Sequence, residues 1–388
     1  MALNVAIVGG GIGGLTAALA LLRSGHCVRV YEQARMLREA GAGLTLTPNA
    51  TRVLQHLGLG PTLEQIGNVP YRGAVLHWRT GEELVENTRA SQLAARYGAP
   101  YCQVHRADLQ RALSDAVIAI DRSALRVDSR LIGVDQHDER VIARFENGAT
   151  AAADVLIGAD GLKSSVRRLL FGSGEPRFTG QVAWRGLVPA PQLACAALEP
   201  PSAMSIGPGR IFTRYLLRGG ALVNYVAIVC SDAWQEESWS TLGDRHELLD
   251  LYAGWSSSVR SLIDRTPTDG LFKWALFDRP SLPTWRSSRC TLLGDAAHPM
   301  LPFLGQGAAM AIEDACILAR ALCDNEDVAR GLATYERARI PRTSWVAEAS
   351  RAAGARFQST QTESYTASSH VSAISLDLPA YDAVSVPL

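Results

Sequence analysis

At 388 residues the chain balances 38 basic against 38 acidic side chains, so no net charge favours nucleic acid or an anionic membrane as partner. Its 47% hydrophobic and 20% charged content is that of an ordinary globular protein long enough for two domains. Seven cysteines, at 27, 102, 195, 230, 290, 316 and 323, make no CxxC or CxxxxC pair; this argues against a disulfide framework or redox-active dithiol and fits a reducing cytoplasm.

The first element is an apolar strand over 5–8 that runs into Gly9-x-Gly11-x-x-Gly14, with Gly13 inside the run, and then a helix over 15–23. This is the strand, turn and helix that a dinucleotide needs: one Gly for the turn, one for approach of a pyrophosphate, one for helix packing. Phosphates sit on the free N–H groups at such a helix start. Glu32 closes the next apolar run, 28–31, where its carboxylate can accept from a ribose hydroxyl. The uncharged stretch 5–22 lacks a basic leader and is rich in Gly, so it reads as this motif and not as a signal peptide or membrane span.

Residues 41–49, GAGLTLTPN, alternate Thr45 and Thr47 on one face with Leu44 and Leu46 on the other, and Asn49 is placed to cap a helix over 50–57. A hairpin over 74–78 and 83–85 turns at Thr80-Gly81. His105-Arg106 opens a helix with Asp108 in its first turn; Arg106 reads either as a reach toward cofactor phosphate or as a surface Arg. A second hairpin is expected over 125–136 and 141–145. An apolar strand then ends in Asp160-Gly161, a helix starts near Ser164, and Asp160 and Arg167 are expected to pair and shape the turn.

From 179 to 286 the pattern becomes β-rich, with runs at 182–188, 204–206, 211–217 and 222–229. Period two groups Ile211, Thr213, Tyr215 and Leu217 against Arg210, Phe212, Arg214 and Leu216, and one face should roof a pocket. A short strand over 291–293 leads to Asp295, and Gly305-Gln306-Gly307 opens a helix to about Cys323. Asp295 can hold a polyol such as a ribityl chain, and the bare helix start can stabilise negative charge on a reduced flavin ring. The plain alternative is a strand, an Asx turn and a Gly-opened helix without a ligand. Residues 332–357 read as an amphipathic helix kinked or interrupted at Pro341, and 358–388 carry no clear pattern.

Three segments together, GGGIGG with Glu32, IGADGLKSSVR and LLGDAAHPMLPFLGQGAAMAIEDA, resemble the group A FAD-dependent aromatic monooxygenases over about residues 4–345. GAGLTLTPN, VHRADL, VAWRGLV and LRGGALVNYVA are most similar to the branch of salicylate hydroxylase, 3-hydroxybenzoate 6-hydroxylase and 6-hydroxynicotinate 3-monooxygenase. The resemblance implies an α/β, Rossmann-like FAD-binding fold of the para-hydroxybenzoate hydroxylase type, with an inserted mainly β substrate domain and a C-terminal helix. The expected division is FAD-binding segments 1–72, 100–177 and 287–330, a hairpin 73–99 and main part 178–286 of the substrate domain, and a helix and tail 331–388.

By the same resemblance, Gly9, Gly11, Gly13, Gly14 and Glu32 would hold the ADP part of FAD, Arg106 its phosphate and ribityl region, and Asp295 the ribityl chain. Asp160 would belong to a segment serving FAD and reduced nicotinamide; Pro302 and Gly305–Gly307 would border the isoalloxazine. NADH or NADPH would reduce FAD and leave, and O2 would give a C4a-hydroperoxide that hydroxylates an electron-rich aromatic or pyridine carboxylate. No metal is expected, and a homodimer is allowed for. This chain departs from its relatives in having Ile211 and Thr45 where some carry His. Tyr215 is then the candidate for binding or deprotonating a substrate hydroxyl, with His298 as an alternative that supports the flavin loop. Thr45, Thr47 and Arg185 are further substrate candidates, and Arg185 and Arg214 each read either as partners of a substrate carboxylate or as structural. Two other readings stay open: a larger natural-product substrate, and a non-catalytic FAD-binding or sensing protein.

Overall fold

The uncharged run Asn4–Val8 sits at the centre of a sheet because both of its faces are covered; Val5, Ala6, Ile7 and Val8 are all buried. A computed structural model of the chain describes residues 2–37, 42–87, 90–172, 174, 176–231, 241–357 and 371–388. Gly41 of the GAGLTLTPN segment and residues 358–370 of the tail lie outside them.

The six-stranded sheet has the order Arg286–Ser287, Cys290–Leu292, Val155–Gly158, Asn4–Val8, Cys27–Tyr31, Leu125–Arg126, parallel except at the first pair. The helices Ile12–Arg23 and Gly307–Cys323 pack together on it. A seven-stranded sheet runs Leu271–Asp278, Arg177–Pro189, Leu222–Cys230, Arg210–Leu217, Ser202–Gly207, Gly73–His77, Glu83–Asn87, antiparallel apart from the Ser202–Gly207/Gly73–His77 pair. Between the two lies a small sheet of Gly43–Leu46, Cys102–His105 and Gly67–Asn68. The fold is α/β with a β-rich layer over a Rossmann-like body.

Three local expectations change. Asn49 does not cap its helix. The helix Pro48–His56 begins with Pro at the first turn and Thr47 at the cap position, and the Asn49 amide is used elsewhere. Residues 125–136 divide, with Leu125–Arg126 pairing to Cys27–Tyr31 and only Leu131–Gln136 pairing to Val141–Phe145. Pro341 does not end the long helix Val328–Phe357, in which it lies. Among the described residues no helix is long and apolar enough to cross a membrane.

Candidate active site

The glycines of the first turn differ in what surrounds them. A Cβ on Gly14 would stand 2.1 Å from the Gly9 carbonyl oxygen, and one on Gly9 (φ +111°) 2.3 Å from that of Ala159. One on Gly13 would meet Leu293 at 2.7 Å. These three glycines are needed for backbone and helix packing. A Cβ on Gly11 would meet nothing within 4 Å, and Gly11 is the N-cap of Ile12–Arg23, with no side-chain cap bond and no acid in the first turn. That is the cradle an anionic pyrophosphate requires. Glu32 accepts from the N–H of Gly10 at 2.8 Å and of Ala34 at 2.8 Å, which fixes its carboxylate beside the turn. Gln110, unmarked in the sequence, donates to the Gly10 carbonyl at 2.9 Å from the Arg106–Ile120 helix.

At the second motif, Asp160 accepts from the Ser164 hydroxyl and from the N–H of Ser165 (2.7 Å) and Val166 (3.1 Å), so it closes the start of Ser165–Phe171. Burial raises its pKa, and those hydrogen bonds oppose the rise. The expected Asp160–Arg167 pair does not form. Arg167 instead donates to the carbonyls of Ala296 and Ala297, both at 3.2 Å, and of Pro280 at 3.2 Å. Its guanidinium reaches across to the third motif because the carboxylate is already filled by local donors.

At that third motif, Asp295 is exposed on a short turn, and Arg106 faces it closely enough for their charges to attract. Burial lowers the Arg106 pKa, and Asp295 counters this. Pro302 and Gly305 (φ +63°) are exposed, and nothing lies within 4 Å of a Cβ on Gly305. Gly307–Cys323 therefore starts from an uncovered turn beside Asp295. The open Gly11 helix start, the fixed Glu32, the Arg106–Asp295 pair and this turn fit FAD.

The β-rich layer supplies the other wall. Cross-strand register sets Asn224 opposite both Tyr215 and Leu187, and Val226 opposite Thr213 and Arg185. Tyr215, Asn224 and Arg185 therefore share one face, with Phe272 and Trp274 beside Arg185. Phe212, Trp184 and Tyr225 take the opposite face and form its core. Arg214 is on that second face too. It donates to the carbonyls of Leu198 (3.4 Å), Glu199 (2.8 Å) and Pro200 (2.6 Å), which makes it structural.

The Tyr215 face looks onto Gly43–Leu46. The Gly43 N–H donates to Asn224 Oδ1 at 2.8 Å, and the Thr45 hydroxyl is the polar neighbour of both Tyr215 and Tyr101. Burial first, and then Tyr101, pushes the Tyr215 pKa well up, while Thr45 and Arg185 pull the other way; the phenol is neutral at physiological pH. Arg185 is 4% exposed, and its Nε and Nη2 have no hydrogen-bond partner among the described residues. Phe272 and Trp274 each lie 5.5 Å from its guanidinium carbon. Burial, and then the charge of Arg106, pulls the Arg185 pKa down to about 10. Asn224 Nδ2, Gln103 Oε1 and His105 Nδ1 are also buried without partners among the described residues. The unmet donors of Arg185 and Asn224, on one sheet face, are groups that an anionic guest would satisfy.

Thr47 and His298 are placed differently. Thr47 is buried and its hydroxyl donates to Asn49 Oδ1 at 2.6 Å. Asn49 in turn donates to Glu313 at 2.6 Å and to Gln306 at 3.3 Å. Glu313 holds Arg342 at 2.6 and 2.7 Å and Arg339 at 2.8 Å, and Arg339 meets Asp314 at 2.6 Å. His298 Nε2 lies 2.5 Å from Asp314 Oδ2, with its ring against Trp285. Residues 371–388 cover this knot, with the Tyr381 ring 3.9 Å from Arg342. The sequence carries no spacing signal for these ion pairs.

The chain matches the FAD binding domain family over residues 2–350. It is 39% identical over 355 residues to a 3-amino-4-hydroxybenzoate 2-monooxygenase of Streptomyces platensis, covering 91% of this chain and 88% of that one. It is 35% identical over 353 residues to 6-hydroxynicotinate 3-monooxygenase of Pseudomonas fluorescens, covering 88% and 89%. Among solved structures, HpxO of Klebsiella pneumoniae with FAD and uric acid aligns with a TM-score of 0.84 at 28% identity, over 93% of this chain and 90% of that one. The flavin-compatible cradle and the shared sequence agree: the chain belongs to the FAD-dependent, NAD(P)H-consuming aromatic monooxygenases of class A.

Proposed function

We propose that the substrate is a small aromatic or pyridine carboxylate with a ring hydroxyl, held between Arg185 and Tyr215. The observation that carries this reading is a buried guanidinium with unmet donors on the same sheet face as a buried neutral phenol. Arg185 takes the carboxylate; its planar donors suit two carboxylate oxygens, and the pairing relieves the penalty of a buried lone cation. Tyr215 hydrogen-bonds the ring hydroxyl and, with a raised pKa, keeps its own proton at neutral pH. Thr45 orients that phenol. Curated relatives named for a hydroxybenzoate and a hydroxynicotinate are consistent with this chemistry.

When bound, FAD carries the reducing equivalents of NAD(P)H and activates O2. In this reading the Gly11 helix start receives the pyrophosphate and Glu32 the ribose. Arg106 and Asp295 hold the phosphate and ribityl region, and Pro302 with Gly305–Gly307 borders the ring. Asp160 shapes the turn beside them. His298 and Thr47 act through the buried knot as positioning residues. The scattered free cysteines support a cytoplasmic setting. The test is a panel of hydroxybenzoates and hydroxypyridine carboxylates with purified holoenzyme, following stimulated NAD(P)H oxidation and product mass. A single oxygen atom added to one carboxylated, hydroxylated ring is expected. Stimulation by uncharged aromatics alone would reject the Arg185 assignment.

A further inference from the structure

A cleft of about 520 Å³ lies beside the pocket just described, lined by Val69, Pro70, Tyr71 and Arg72, by Ala94 of the helix Ala90–Tyr97, and by Tyr101. Its volume is in the range of small-ligand sites. Val69 and Tyr71 are 58% and 60% exposed, so the outer end meets solvent. Tyr101 belongs to both spaces. It lines the cleft, while its hydroxyl shares the Thr45 neighbour with Tyr215. One side chain thus touches both the cleft and the Arg185–Tyr215 pocket.

The walls suit the traffic of an aromatic anion. Val69, Pro70 and Ala94 are apolar, two phenols supply ring faces, and Arg72 supplies a cation at the side. Arg72 is paired to Glu83 at 2.9 Å, but both side chains are about one-third exposed (31% and 32%), and a solvated pair of that kind exchanges partners readily. Across the rim the Tyr71 hydroxyl donates to the Glu199 carboxylate. The Glu199 side is the fixed one, because buried Arg214 holds the carbonyls of Leu198, Glu199 and Pro200. The Tyr71 side is a short connection between the strands Gly67–Asn68 and Gly73–His77, exposed at Val69 and Tyr71.

We infer that this cleft is the entrance by which the aromatic acid reaches Tyr215, with Tyr101 limiting ring size at its inner end and the Tyr71–Glu199 contact fastening its rim. The inference rests on the Arg185–Tyr215 pocket being the substrate site. An entrance controls rates, so narrowing it slows arrival and departure together and leaves affinity nearly unchanged.

The test is stopped-flow perturbation of flavin absorbance by 3-hydroxybenzoate or 6-hydroxynicotinate, using holoenzyme. Ala94→Trp and Ser91→Trp both narrow the cleft from its helix side. Each should lower the association and dissociation rate constants by about tenfold or more, with the FAD content of wild type. Tyr71→Phe, which frees the rim, should raise both. Wild-type association rates in both tryptophan variants, or a change in affinity with no change in association rate, would overturn the entrance while leaving the pocket standing. A wild-type holoenzyme whose flavin responds to no aromatic acid would overturn the pocket reading and the entrance with it.

Discussion

The ring of Tyr215 occupies the space that a side chain on residue 43 would need: a Cβ built on Gly43 stands 2.4 Å from the ring Cε2 and 2.6 Å from the hydroxyl oxygen. The Gly43 N–H also donates to Asn224, so the flavin body and the β-rich layer are joined where the phenol is seated. Gly43→Ala is expected to push the phenol aside and lower turnover by about tenfold or more, with FAD retained. Tyr215→Phe should also slow turnover with little loss of FAD. Steady-state hydroxylation beside flavin absorbance checks both, and unchanged turnover in Tyr215→Phe would remove Tyr215 from the site.

The first-turn glycines should separate into two classes. Gly14→Ala forces its Cβ against the Gly9 carbonyl and should destabilise the protein by about 1–3 kcal/mol, read as a lower melting temperature. Gly11→Ala meets no protein atom within 4 Å, so it should fold normally and fail instead in FAD affinity, by about tenfold or more. Comparable melting losses in the two apoproteins would contradict this assignment.

Asp295→Ala should yield folded, colourless protein poor in cofactor. Asp295 is exposed and faces Arg106, so its removal costs the fold little and unbalances the cradle. A fully yellow variant would show that the ribityl contact lies elsewhere.

Arg185→Gln keeps polarity and removes charge. Affinity for an aromatic carboxylate should fall by about ten- to hundredfold, the value of a charge-assisted hydrogen bond of about 1.5–3 kcal/mol. The corresponding primary amide should bind both proteins alike. Titration of flavin absorbance with each ligand decides it, and equal losses for acid and amide would point to packing rather than charge.

Asp314 gives a pH prediction. Burial alone would raise its pKa above the ordinary 3.8, but His298 and Arg339 outweigh burial and hold it at about 2. Because the folded value lies below the unfolded one, the stabilisation is complete above 3.8 and is lost as pH falls from there toward about 2. Asp314→Asn, which leaves Arg339 with Glu313 alone and takes the carboxylate from His298, should cost about 1.5–3 kcal/mol at neutral pH. Melting curves should show the gap to wild type narrowing below about pH 4. A gap independent of pH would mean that the pair contributes no charge-dependent stability.

Much of this fold was legible in the chain because its signals are local. The Gly9–Gly14 turn, Glu32, the strand into Asp160-Gly161 and the helix opened at Gly307 each declare themselves within a few residues. Alternation along Arg210–Leu217 also separated Tyr215 from Arg214, because a strand's period fixes faces without knowledge of partners. It could not say what each face meets. Arg214 turned to three carbonyls more than ten residues away, and Arg167 passed over Asp160 for carbonyls about 130 residues on. Gln110, Asn224 and Tyr101 were missed for the same reason. Glu313 and Asp314 carry no local mark of their role, yet both side chains are fully buried against arginines 25 or more residues later.

That knot has a consequence for the order in which the protein is made. Asn49 and Gln306 are tied to Glu313, and Glu313 is neutralised by Arg339 and Arg342 of the Val328–Phe357 helix. While the ribosome is still translating that helix, the acids have no counterions and the nucleotide cradle, begun within the first 32 residues, has no fixed far wall. Uptake of the cofactor therefore waits until that helix has been made, and a nascent chain halted before Arg339 should emerge without colour.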